Sequence, residues 1–181
     1  MVPRRGSDGS IQYDVCVPSC DGPHVYRTTD ILYDGGFGTL AGRGTRVWKA
    51  RRLDAAGEMT GEPVALKDAW VDRHREREGD ISARIRQSSS VLEPEDHELL
   101  NNMLLTVLDH GDVYISGLPD RTRLLPTVVP QNEFSGQVHY RIVCAEVGIP
   151  LREETSLHAV YQALVDVCGG ASPCVWYHTT A

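Results

Sequence analysis

The stretch from Gly42 to Trp70 constrains the fold more than any other part of the chain. Gly42-Arg43-Gly44-Thr45 leads into Arg46-Val47-Trp48-Lys49-Ala50-Arg51-Arg52-Leu53, where Val47, Lys49 and Arg51 alternate against Trp48, Ala50 and Arg52. That period of two suits a half-exposed strand. Gly57-Glu58-Met59-Thr60-Gly61-Glu62 puts two glycines in a turn, and Pro63-Val64-Ala65-Leu66-Lys67-Asp68-Ala69-Trp70 follows as a second strand. The pair predicts an antiparallel hairpin, which cannot stand alone in water, so the rest of the chain must cover it.

The flanking segments suggest how. Asp72 to Gln87 is dense in charge of both signs, with Ile81 and Ile85 one helical turn apart, and predicts a short helix with a thin apolar stripe. Pro94-Glu95-Asp96-His97-Glu98 opens another helix, with proline and acids in the first turn where the helix dipole favours them. From Leu105 to Ile115 strand formers surround a turn at His110-Gly111, and a loop over 117–137 leads to Val138-His139-Tyr140-Arg141-Ile142-Val143-Cys144-Ala145, the most β-prone run. Glu146 to Leu151 breaks it. Thr155 or Ser156 then caps a helix through Cys168 with Leu157, Val160, Leu164 and Val167 on one face, ended by Gly169-Gly170. Residues 1–29, rich in Gly, Pro, Ser and Asp, read as a flexible leading segment, and 171–181 as a tail without period. A small antiparallel sheet with a helix packed on it is an α+β lobe.

Composition narrows the function classes. The 181 residues carry a net charge of −7, which argues against nucleic acid as a partner. No run approaches the roughly 18 apolar residues of a membrane span, and Met1-Val2-Pro3-Arg4-Arg5 has no apolar stretch behind its arginines, so neither a membrane nor a secretory signal is expected. Five cysteines at irregular spacing suit free thiols in a reducing compartment, which places the chain inside the cell, in cytoplasm or nucleus. Cys16 and Cys20 lack a second pair at ligand spacing, so no metal is expected.

The 18 basic residues comprise 16 arginines and two lysines, Lys49 and Lys67. In Val64-Ala65-Leu66-Lys67 the lysine sits in an apolar strand, where burial is costly unless an anion meets it; an ATP phosphate and a helix carboxylate would do so. Gly42 and Gly44 would let the backbone approach phosphates closely, with Val47 over the base. Glu78, eleven residues past Lys67 on the charged helix, is within reach of it. Each piece has a bland reading: a Gly-x-Gly is common, an alternating strand often points a lysine to water, and a charged helix usually has a solvated face. Their order and spacing together favour the pocket.

The chain resembles the fungal-type protein kinases. The resembling segments are Gly42-Arg43-Gly44-Thr45-Arg46-Val47-Trp48, Leu66-Lys67-Asp68-Ala69-Trp70-Val71-Asp72, Arg75-Glu76-Arg77-Glu78-Gly79-Asp80-Ile81, Leu105 to Val113, and His139 to Gly148. The resemblance implies a protein-kinase-like small lobe with the hinge and first helix of the large lobe, over residues 30–170, followed by an unrelated tail at 171–181. It implies Lys67 and Glu78 as the phosphate-holding lysine and its ion-pair partner. It places Gly42, Gly44, Val47 and Ala65 around ATP, and Ala145, Glu146 and Val147 in a hinge that meets adenine through main-chain groups. Leu40 and Thr45 stand where the first and third glycines of the kinase loop align, and Ala145 where the family's hinge has lysine.

A working kinase also needs a catalytic Asp, an Asn and a magnesium-binding Asp after the hinge. The eleven residues after Gly170 contain neither aspartate nor asparagine. His110-Gly111-Asp112 looks like a catalytic His-Gly-Asp, but it precedes the hinge and Gly117 stands where the asparagine belongs, which reads as a turn. The expectation is a truncated serine/threonine-type kinase that retains ATP-binding elements and is inactive alone, magnesium belonging to full-length relatives. The alternatives are a noncatalytic, pseudokinase-like module that docks a protein partner or self-associates through its exposed face, and a gene-model fragment without independent function.

Overall fold

The expected hairpin forms. In the computed structural model, which describes residues 1–6, 9–35, 44–122, 136–149 and 153–168, strand β4 (Arg46–Leu53) pairs antiparallel with β5 (Met59–Asp72) around a turn at Asp54 to Glu58. Gly57 takes φ +81° there, a conformation that favours glycine, and the Asp54 carboxylate accepts the Ala56 and Glu58 amides. Helix α1 (Glu78–Ser88) follows, then a 3-10 turn (Ser89–Val91) and α2 (Pro94–Met103). Strand β6 (Val107–Asp112), the two-residue strands β7 (Tyr114–Ile115) and β8 (Leu118–Pro119), β9 (Gln137–Cys144) and α3 (Leu157–Cys168) complete the order. Ser156 Oγ accepts the Ala159 amide at 3.3 Å and caps α3. The fold is mostly antiparallel sheet with a few helices, an α+β architecture compatible with a small lobe. No helix among the described residues is long and apolar enough to cross a membrane.

The leading segment requires a correction. The described residues of this segment are largely strand: β1 (Val2–Arg5), β2 (Ile11–Val17) and β3 (His24–Asp34) extend the sheet to seven strands in the order β1-β2-β3-β4-β5-β9-β6. The glycines and prolines that suggested disorder fall largely in the turns. The sheet curls so that β2 lies over β9 and β6, and Arg141 Nη1 donates to the Cys16 carbonyl at 2.7 Å across the fold. Val15, Val17 and Tyr26 thereby close a core with Trp48, Ala50, Val64, Leu66 and Val143. Fully burying one side chain such as Leu66 stabilises by about 1.5–3 kcal/mol, which is what ordering these strands draws on.

The other face of the sheet is finished differently. Register opposes Leu66 to Val143 and Lys67 to Ile142, so Lys67 shares its face with Ala65, Ala69, Tyr140, Ile142 and Cys144. Here the smaller cluster of Tyr140, Ile142 and Cys144, with Val71, Leu105 and Val107, packs beside α1. His110-Gly111 corrects a second expectation, because it makes no turn: β6 runs straight through it, with His110 opposite Ile142 and Gly111 opposite Arg141. Glycine is needed there, since a Cβ at 111 would lie 2.7 Å from Pro18 Cβ.

Candidate functional site

Lys67 leaves β5 toward the first turn of α1, where its Nζ donates to both carboxylate oxygens of Glu78, at 2.6 and 2.8 Å. Its side chain is 32% exposed and that of Glu78 50%, so the pair borders water rather than the core. Beside it opens a cleft of about 260 Å³ whose lining includes Thr45, Asp72, Arg75, Glu76 and Gln137. Behind α1, an apolar groove of about 450 Å³ runs between Ile81, Ile85, Leu105, Val107 and Ile142 and also reaches Glu78.

What places Glu78 is the seating of the helix N-terminus. Arg77, immediately before it, forms a two-pronged pair with Asp112 on β6, at 2.6 and 3.0 Å, and Nη1 donates to the carbonyls of Asp72 and Arg75. The hydrogen bond to Asp112 raises the Arg77 pKa against the opposing effect of burial, keeping the guanidinium charged. The Gly79 amide donates to the Tyr140 hydroxyl at 3.0 Å, and Gly79 sits so near His110 that a Cβ would lie 2.2 Å from the ring. Arg77-Glu78-Gly79 is thus three consecutive residues with three anchors: Asp112, Lys67, and Tyr140 with His110.

The opposite face carries two polar clusters that the sequence reading missed. His139 bridges Asp68 and Asp120, the latter at 2.8 Å, and stacks on Trp70 with ring centres 4.9 Å apart. Arg141 Nε also donates to Asp68 at 3.1 Å. Burial alone would raise the Asp68 pKa, but hydrogen bonding from His139 and the charge of Arg141 outweigh it and hold it low. Near the β2–β3 turn, Asp109 takes a hydrogen bond from the Tyr26 hydroxyl and meets His24 Nδ1 at 2.8 Å, while His24 Nε2 lies 3.4 Å from Asp21. Asp21, His24 and Asp109 would suit a cation by spacing, yet the visible work of His24 and Asp109 is to tie β3 to β6. Alternating Ile11, Tyr13, Val15 and Val17 is the signal that could have placed β2 over this face.

The expected site residues are partly gathered. Lys67 and Glu78 are joined, and Val47 lies directly opposite Lys67 in the β4–β5 ladder. Ala65 shares that face and lies opposite Lys49 and Cys144. Gly44, at φ +48°, precedes Thr45 at the cleft, while Gly42 lies outside the described residues. Ala145 follows β9 and is exposed; its amide donates to the Thr106 carbonyl at 2.9 Å. The Glu146 carboxylate turns back to accept the Thr106 amide at 2.9 and 3.1 Å, and Val147 is half-buried.

The class comes from fold and pair together: an antiparallel α+β unit in which a strand lysine meets a helix glutamate. Residues 36–123 match the family model described as "Fungal protein kinase". The matched stretch, similar to an N-terminal portion of that family, takes in β4 to β8, α1 and α2, and leaves β1–β3 and β9 outside. No curated protein matches the chain, and no solved structure does.

Proposed function

We propose that this chain is the ATP-binding part of a fungal-type protein kinase, with Lys67 as the residue that takes the nucleotide phosphates. The observation that carries the reading is the Lys67–Glu78 pair at the edge of an open cleft. An ammonium group has three N–H donors; Glu78 orients it through two, and a phosphate oxygen would accept the third. Gly44 and Thr45 lie where backbone could approach those phosphates, Val47 and Ala65 would flank the base, and Ala145 to Gly148 would meet adenine as the hinge.

On this reading the polypeptide binds nucleotide without transferring its phosphoryl group. Between Cys144 and Ala181 it has one aspartate, Asp166, and no asparagine, the residue types that accept the hydroxyl proton and hold magnesium in phosphoryl transfer. Titration with a fluorescent ATP analogue tests the proposal: saturable binding that Lys67→Met removes is expected, and no binding by the unaltered chain would overturn it. ATP-dependent phosphate transfer that Lys67→Met abolishes would overturn the claim of inactivity.

A second reading, a noncatalytic docking module, is favoured by α3, where Leu157, Tyr161, Leu164 and Val165 are all exposed. It predicts association through this face, seen as a scattering mass that rises with concentration and falls back in Leu164→Asp.

A further inference from the structure

Near the C-terminus of helix α1, Arg86 ties it to Asn101 and to the carbonyls of Leu104 and Leu105, but the N-terminal end has little means of holding its own position. The helix is eleven residues long, short of the roughly 12–15 that an isolated helix needs, and its N-cap, Arg77, makes no side-chain capping bond to the first turn. Its first turn is fixed from outside instead, by Asp112, Tyr140 and His110, which lie on the neighbouring strands β6 and β9. The Arg77–Asp112 pair is the strongest of these contacts in kind, because it is charge-assisted, two-pronged and only 14% and 29% exposed on its two side chains. Arg77 is adjacent in sequence to Glu78, so a displacement of one carries the other.

We propose that Arg77 and Asp112 are positioning residues of the Lys67 site: their ion pair bolts the first turn of α1 to β6 and keeps Glu78 on Lys67 before any ligand arrives. The segment His110-Gly111-Asp112 is then the seat of the helix rather than a catalytic loop. His110 receives Gly79, Gly111 lets Pro18 close over the strand, and Asp112 takes Arg77. The importance of this bolt for nucleotide rests on the proposed function above, but its effect on Lys67 does not.

The small lysine count makes the effect measurable without nucleotide. An amine-acylating reagent, quantified by peptide mapping, reports the ratio of labelling at Lys67 to labelling at Lys49. Glu78→Gln and Asp112→Asn are both expected to raise that ratio by about fivefold, as for coupled neighbours. Asp14→Asn, which breaks another two-pronged pair with Arg27 on the β2–β3 edge, is the control for general loosening and should leave it unchanged. If Glu78→Gln raises the ratio while Asp112→Asn, still folded, leaves it at the wild-type value, the proposal is overturned. It is equally overturned if Asp14→Asn raises the ratio as far as Asp112→Asn does. A chain that shows the labelling response but binds no fluorescent ATP analogue would refute the nucleotide reading and uphold the bolt.

Discussion

The two faces of the central sheet solve different problems. The face under β1–β3 is closed: Val15, Val17, Leu66 and Val143 are fully buried, and its charged groups, Asp68 and Arg141 among them, neutralise one another. The face under α1 is left partly open, with a half-exposed ion pair, an aqueous cleft and an apolar groove around one helix turn. Stability is concentrated on the first face, and the proposed nucleotide site lies on the second. A perturbation of similar size should therefore unfold the chain on one side and only redirect a side chain on the other.

The largest effect expected is on the closed face. Val17→Asp places an unpaired carboxylate in a fully buried position, at a cost of about 4 kcal/mol or more, and urea unfolding should show the loss. On the α1 face, Gly79→Ala forces the helix away from His110 at about 1–3 kcal/mol, with a rise in Lys67 labelling as its distinguishing mark. Acid should separate the faces next. Asp14, held low mainly by its hydrogen bond to Arg27, joins Asp68 and Asp109, which burial would raise but hydrogen bonds hold low. The unfolded chain takes up those protons first, so this stabilisation is complete above the ordinary aspartate value of about 4 and is lost as pH falls through the depressed folded values. Melting followed between neutral pH and pH 3 should therefore show a steep acid fall, less steep in Asp68→Asn. The smallest effect is expected from Lys67→Met, where solvent screening limits the change in stability to about 1 kcal/mol by thermal melting.

How far the sequence reveals this molecule also differs between the faces. The β4–β5 hairpin, the helices and β9 are legible because their patterns are local: alternation, a glycine turn, proline at a helix start, a serine cap. The Lys67–Glu78 pair is legible because a lysine inside an apolar strand, after Val64-Ala65-Leu66, needs a nearby acid. The cover strands β1–β3 are harder to see, since only alternate residues such as Val15 and Val17 are buried and the intervening loops are rich in glycine and proline. Strand β6 is misread for a related reason. Gly111 signals a turn in isolation, yet it is required by Pro18, a residue far away in sequence. The tertiary partners of Arg77, Gly79 and Asp112 leave no local signature at all.

The most direct test of the central claim uses an acyl-phosphate derivative of ATP, which acylates an amine lying against the bound phosphates. The account predicts modification of Lys67 and not Lys49, suppressed by excess ATP. Equal labelling of both lysines, or labelling of Lys67 that ATP does not suppress, would contradict it.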